Sequence, residues 1–278
     1  MTIPKRTLGR TGYEATIMGL GGEGILRTYG REGRAYELIN RAIDLGLNYF
    51  ESARAYSGSE AYYGLALKER RKEIFLTSKS DARDKEGALD HLRQTLTNMK
   101  TDHLDLWQVH DVRTDEDVQA IFGPNGAIHA FAEAKEKGLT RFLGITGHHD
   151  PFITKQCIEM FDFDTVLIPV NPAEPVYKSY LQHVMPVALK RGMGVIAMKV
   201  YFRGFASKLP WFTNMEPFFR FALTQPVTLA VIGCDDILQL EQNVNFAAAF
   251  KPMGQDELQD LIDEIYPYGQ KLMYYKPS

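Results

Sequence analysis

Short apolar runs rich in β-branched and aromatic residues recur along the chain, separated by segments of helical period. They occupy 17–21 (IMGLG), 47–51 (LNYFE), 74–79 (IFLTSK), 104–110 (LDLWQVH), 141–146 (RFLGIT), 165–170 (TVLIPV), 194–199 (GVIAMK) and 227–232 (VTLAVI). Near-continuous hydrophobicity suits strands covered on both faces, as in a parallel sheet. Between the runs, Leu89, Leu92, Leu96 and Met99 fall on one helical face, as do Leu38, Ile39, Ala42 and Ile43, and Leu181, Val184, Val187 and Ala188. Gly46, Gly138 and Gly192 each stand where a helix closes on a left-handed residue before the next run. Pro186 is expected to bend the sixth helix.

Ahead of the first run, Gly9-Arg10-Thr11-Gly12 is a turn signal that predicts a β-hairpin. Eight strand–helix repeats favour closure over an open doubly wound sheet, so the expected fold is an α/β (β/α)8 TIM barrel with an N-terminal β-hairpin. No flexible linker interrupts the pattern, and residues 1–278 are expected to form a single barrel domain.

Composition narrows the partners. With 32 basic and 35 acidic residues the formal net charge is −3, without a long single-sign run, which leaves no electrostatic footprint for nucleic acid or anionic membrane. A small-molecule partner is expected. Cys157 and Cys234 are too few and too far apart for a disulfide framework or zinc site and read as buried thiols. The N-terminus lacks the apolar core of a secretory signal and nowhere are there about 18 consecutive apolar residues, so the expected location is cytoplasmic.

In barrels of this kind, catalytic groups gather at the C-terminal ends of strands. Glu51, Lys79 and His110 end the second, third and fourth runs, and Tyr56 follows Glu51 by one turn. Adjacent strands lie about 4.8 Å apart, so the four converge on one small molecule. A tyrosine is a poor acid at neutral pH, but a neighbouring ammonium favours its phenolate; Lys79 supplies that charge, a carboxylate behind it keeps it oriented, and His110 is placed to polarise a carbonyl or relay a proton. Singly, each has an ordinary reading as a salt bridge or half-buried aromatic; jointly they point to catalysis. His148-His149-Asp150 invites a metal reading, but Asp150 before Pro151 is a helix cap and no other ligand cluster joins it, so no metal is expected. The aromatic segment 201–219, with Trp211 and Phe212, either lines a substrate pocket or covers the core.

Gly46-Leu47-Asn48-Tyr49-Phe50-Glu51-Ser52-Ala53-Arg54-Ala55-Tyr56-Ser57-Gly58-Ser59-Glu60 resembles the G-x-N-x-(F/I)-D-T-A-x-x-Y-G-x-S-E motif of the aldo-keto reductase superfamily. Thr77-Ser78-Lys79 and Asp105-Leu106-Trp107-Gln108-Val109-His110 match the strands that carry its lysine and histidine. The resemblance spans essentially the whole chain. It implies reduction of an aldehyde or ketone with NAD(P)H, with Tyr56 as general acid, Lys79 and His110 as its partners, and Glu51 in the place of the usual aspartate.

On the cofactor side, the family's Ser-Asn pair and Gln read Thr146-Gly147 and Leu167, with Thr146, His148 and Asn171 as polar substitutes, and its stacking aromatic reads Met198. The resemblance counts Gly22 and Gly233 in the cofactor wall and makes Glu241 and Asn243 candidates for adenine contacts. Asp235 takes the place of an arginine; a carboxylate repels a 2′-phosphate and accepts from a ribose hydroxyl, which opens NADH beside the NADPH usual in the family. Lys199 or Arg203 is placed to hold phosphate. Two other classes stay open at this point: a cofactor-binding regulatory or scaffold subunit with little turnover, and a phosphate-binding barrel isomerase or lyase.

Overall fold

A computed structural model describes residues 2–276. Two short antiparallel strands, β1 (Lys5–Thr7) and β2 (Glu14–Thr16), form the expected hairpin, closed by a 3-10 turn over Gly9–Thr11 and by Gly12 at φ 69°. Eight parallel strands follow: β3 (Met18–Gly24), β4 (Tyr49–Glu51), β5 (Phe75–Ser80), β6 (Leu104–Val109), β7 (Thr140–Thr146), β8 (Thr165–Pro169), β9 (Gly194–Met198) and β10 (Leu229–Cys234). They pair in sequence order, and β10 closes onto β3, with Ala230 opposite Met18 and Ile232 opposite Leu20. The eight-fold barrel predicted from the apolar runs is the fold.

Helices connect the strands as their apolar stripes require. Leu38, Ile39, Ala42 and Ile43 are buried on the helix Glu32–Asp44, and Leu92 and Met99 on Lys85–Met99, with Leu89 and Leu96 packed partly buried beside them. Gly46, Gly138 and Gly192 adopt φ of 91°, 70° and 69°, the left-handed geometry that ends a helix. Asp150 caps the helix Pro151–Met160, accepting from the Phe152 amide at 2.9 Å. The segment expected to bend at Pro186 breaks instead: Tyr180–His183 and Met185–Lys190 are separate helices meeting at Val184, because proline lacks the amide that would tie the second turn to the first. Cys157 and Cys234 are free, buried thiols.

Alternation along the strands sorts the barrel interior into layers. Tyr49, Phe75, Leu106, Leu167, Ile196 and Leu229 pack into one apolar cluster inside the barrel, joined by Leu8 and Ala15 from the hairpin. The hairpin therefore plugs the N-terminal mouth. Leu8 lies so close to Gly194 that an added Cβ would come within 2.6 Å of its side chain, which explains the glycine at the head of β9. Two residues further along β4, four along β5 and β6, the same interior positions carry Glu51, Lys79 and, just past β6, His110. Apolar at the bottom and ionisable at the top, one face of each strand makes both core and site.

The far end of the chain returns to the C-terminal mouth. After the helices Ile237–Ala248 and Gln255–Ile265, residues 273–276 lie over the loops that follow β7 and β8. Lys276 donates to Glu174 Oε2 at 2.8 Å with both side chains essentially buried, and Tyr275 Oη donates to Glu174 Oε1 at 2.8 Å. Among the described residues, no helix is long and apolar enough to cross a membrane.

Candidate active site

Glu51, Lys79, Tyr56 and His110 meet at the C-terminal mouth. Glu51 pairs with Lys79 through Oε1, while its Oε2 accepts from the Gly22 amide at 2.9 Å. Lys79 Nζ also donates to the Ser52 carbonyl at 2.8 Å and reaches Tyr56 Oη at 3.5 Å. The His110 ring meets the Tyr56 ring edge-on at 5.7 Å, and its Nδ1 is buried without a partner among the described residues. The longer reach of glutamate lets one carboxylate tie the lysine to the end of β3.

Each side chain is delivered by local structure. Ser52 and Arg54 continue beyond β4 by bonding to Thr77 and Lys79 carbonyls, and the Tyr56 amide then closes on the Ala53 carbonyl at 3.0 Å. Gly58 at φ 75° completes the turn, where any Cβ would collide with the Thr28 carbonyl. Gly22 is tied down equally: a Cβ there would stand 2.8 Å from Tyr56 Cδ2. The motif's Ser59 and Glu60 are structural: Ser52 Oγ donates to Ser59 Oγ, and buried Glu60 accepts from Ser78, Thr95, Asn98 and Arg54, gluing the helix Ser59–Ala66 to β5. Behind His110, Arg83 clamps the carbonyls of His110 and Asp111, each at 2.8 Å.

The electrostatic balance differs from the one expected. Burial pushes the Tyr56 phenol above its ordinary value, Glu23 adds to this, and Arg27 opposes it. Burial also drives the Lys79 ammonium well down, and Glu23 opposes that shift. Glu51 and the Ser52 carbonyl hold Lys79 Nζ 3.5 Å from Tyr56 Oη, and burial remains the larger influence on the phenol. His110 is driven well below the usual imidazole range by burial and by Lys79, which leaves it neutral. The cluster therefore holds a protonated tyrosine beside a neutral histidine.

From Tyr56 a cleft of about 770 Å³ runs along the mouth towards the N-terminus of the helix Ile237–Ala248. Of the expected cofactor residues, Met198, Lys199, Arg203, Gly233, Asp235 and Asn243 line it, together with Glu51 and Tyr56. The others lie outside its wall. Gly22 faces Glu51; Thr146 Oγ1 accepts from the Asp111 amide at 2.8 Å; and His148 Nδ1 stands 3.4 Å from Asp111 Oδ1. Burial brings the His148 imidazole down to about 4, with Asp111 opposing.

Asn171 is spent on the fold, donating to the Lys199 carbonyl and Tyr275 Oη and accepting from the Ala173 amide. Glu241 points away and pairs with Arg41 at 2.6 Å, whereas Gln239, Gln242 and Asn243, spaced three and four apart, share the face that meets the cleft. That spacing is a signal in the sequence that selects Gln242 over Glu241.

Other wall residues carry no motif. Glu23 enters from the end of β3 and Arg27 from the one-turn helix Ile25–Arg27 that follows it, and Tyr201 donates to Asn243 Oδ1 at 2.5 Å. Lys199, Phe202 and Arg203 adopt positive φ of 57°, 52° and 55°, and such left-handed side-chain residues cluster where a backbone is held for a ligand. Of the aromatic segment 201–219, Tyr201 and Phe212 line the cleft, and Trp211 stacks on Phe218 in the core. The segment divides between the cleft wall and the core.

The donor set fits a dinucleotide. Lys199 and Arg203 offer charge for phosphates, the amides of Gln239, Gln242 and Asn243 offer polar contacts beyond them, and Leu167, Met198 and Val231 offer an apolar floor beside Tyr56.

Buried Glu51 and Lys79 thus meet half-buried Tyr56 and His110 beside an elongated cleft at the C-terminal mouth of the barrel. The family model described as Aldo/keto reductase family matches residues 17–213, and the chain belongs to that family. It is similar to the uncharacterized oxidoreductase YqkF of Bacillus subtilis (strain 168), 23% identical over 92% of this chain and 95% of that protein. Among solved structures it resembles the aldo-keto reductase AKR11C1 from Bacillus halodurans in its holo form, with a TM-score of 0.76, 20% identity and coverage of 98% and 96% of the two chains. An aldo-keto reductase from Klebsiella pneumoniae, solved in complex with NADPH, has a TM-score of 0.76 at 18% identity, covering 96% of each chain. Family membership supports an oxidoreductase enzyme.

Proposed function

We propose that this protein reduces an aldehyde or ketone to the alcohol with NADPH or NADH, and that Tyr56 protonates the carbonyl oxygen. The observation that carries the reading is the contact of Tyr56 Oη with Lys79 Nζ at 3.5 Å, at the wall of a cleft suited to a dinucleotide. The bound nicotinamide would supply hydride to the carbonyl carbon.

The chain's own groups do the rest. Held protonated by its burial, Tyr56 is in the form that can donate as negative charge builds on the carbonyl oxygen. Lys79, fixed by Glu51 and the Ser52 carbonyl, stabilises the phenolate left behind. Neutral His110, at the edge of the tyrosine ring, orients the carbonyl. Met198 and Leu167 keep water from the reacting carbon by covering that floor of the cleft.

Replacement of Tyr56 by Phe tests this. Carbonyl reduction is expected to fall by about 10²- to 10⁴-fold while NADPH still quenches tryptophan fluorescence. Undiminished turnover in that variant would overturn the role of Tyr56.

A further inference from the structure

Arg27 holds a position that the reaction just described does not use. The one-turn helix Ile25–Arg27 is pinned by buried Ile25 and Leu26, which places its last residue at the rim of the cleft. Its guanidinium carbon lies 4.9 Å from the centre of the Tyr56 ring. Among the described residues, it makes a single hydrogen bond, from Nη1 to Glu23 Oε1 at 2.8 Å, and most of the guanidinium's donors are left for another acceptor.

Glu23 is itself shared, with its other oxygen 3.6 Å from Arg203 Nη2. Lys199, on the same wall, has no acidic partner among the described residues; its ammonium sits 5.9 Å over the Tyr274 ring, and burial pushes it down. Three cations thus face one rim carboxylate where a small molecule must approach Tyr56.

We propose that the carbonyl substrate carries a carboxylate, which Arg27 holds while the carbonyl faces Tyr56. The inference rests on the reductase reading and adds the substrate class: a small oxo acid or aldehyde acid. Arg27 gives Glu23 one N–H and keeps the rest of its planar fork, whose geometry suits a carboxylate. The Tyr56 contact keeps that charge within a few bonds of the reacting carbonyl. Arg203 and Lys199 remain for the cofactor's phosphates, so the same anion chemistry has two sources that must be told apart.

The test compares a carboxybenzaldehyde with its methyl ester in the NADPH-loaded enzyme. Wild type is expected to favour the acid in kcat/KM, and Arg27→Met to lower the acid-over-ester ratio by about tenfold or more. Glu23→Gln, which removes the competing carboxylate, is expected to lower the KM for the acid. Fluorescence titration with terephthalate, which cannot be reduced, gives a second reading: Arg27→Met is expected to weaken it about as much as it lowers that ratio. If Arg27→Met instead weakens NADPH binding and leaves the acid-over-ester ratio intact, Arg27 belongs to the cofactor's phosphates and the proposal is overturned. A wild type that prefers the ester also overturns it. If neither aldehyde turns over while Arg27-dependent terephthalate binding persists, the carboxylate site stands and the reductase reading fails.

Discussion

The two sides of the barrel mouth are built by different means. On the side of β4 to β6, the candidate groups stand at or just beyond the strand ends, and their partners are near in sequence or on the adjacent strand: Glu51 with Lys79, Lys79 with Ser52 and Tyr56. On the side of β7 to β9, the wall is tied together over long stretches of chain. Asn171 meets Tyr275, Glu174 meets Lys276, and Tyr201 meets Asn243. Parallel strand pairing suffices to bring Glu51, Lys79 and His110 together. The wall of the long cleft draws in addition on side chains from loops and from the chain's far end.

Breaking the long-range side is expected to have the largest effect on stability. Glu174→Ala leaves the buried Lys276 ammonium unpaired and should cost about 3–5 kcal/mol in urea unfolding, whereas the double variant Glu174→Leu/Lys276→Met should recover most of that. A single variant within about 0.5 kcal/mol of wild type would show that the tail is not clamped.

At the seam between the two sides, His148 is held near 4 against an ordinary 6.5. The folded state refuses a proton that the unfolded chain accepts, so this contribution to stability is present above the unfolded value and declines as pH falls from about 6.5 to 4, by roughly 3 kcal/mol in all. His148→Asn is expected to flatten that part of the stability–pH curve, and an unchanged slope would remove His148 as its source.

The strand-built side is sharpened by Glu51→Asp. The shorter carboxylate cannot reach both Lys79 and the Gly22 amide, and kcat is expected to fall about tenfold with little change in stability. The smallest effect is expected at the exposed end of the cleft. Asp235→Arg should shift the ratio of NADPH to NADH affinity towards NADPH by about tenfold at low salt, and less as salt is raised. A ratio that does not move would place the 2′ position away from Asp235.

How far the sequence can be read differs between the same two sides. The apolar runs and glycine stops placed all eight strands, and the motif from Gly46 to Glu60 placed Tyr56, because short-range turns and strand period dictate both. Gln242 was legible too, from its spacing with Gln239 and Asn243 on one helical face. Arg27 was not, since a one-turn 3-10 helix has too short a period to show which way a side chain faces. Nor was the break at Val184, where a helical stripe continued through Pro186 although the backbone could not.

Glu51, Lys79, Tyr56 and His110 could be brought together from sequence alone because each strand's two-residue period decides which of its residues face the barrel axis. The tertiary structure decided how those groups are charged and what surrounds them. Burial of Tyr56, Lys79 and His110 depends on atoms from distant parts of the chain, such as Gly22 of β3 against the Tyr56 ring, and no local pattern encodes that desolvation. The tail's clamp on Glu174 is of the same kind: a lysine near one end and a glutamate 102 positions earlier become a buried pair only when the barrel has closed between them.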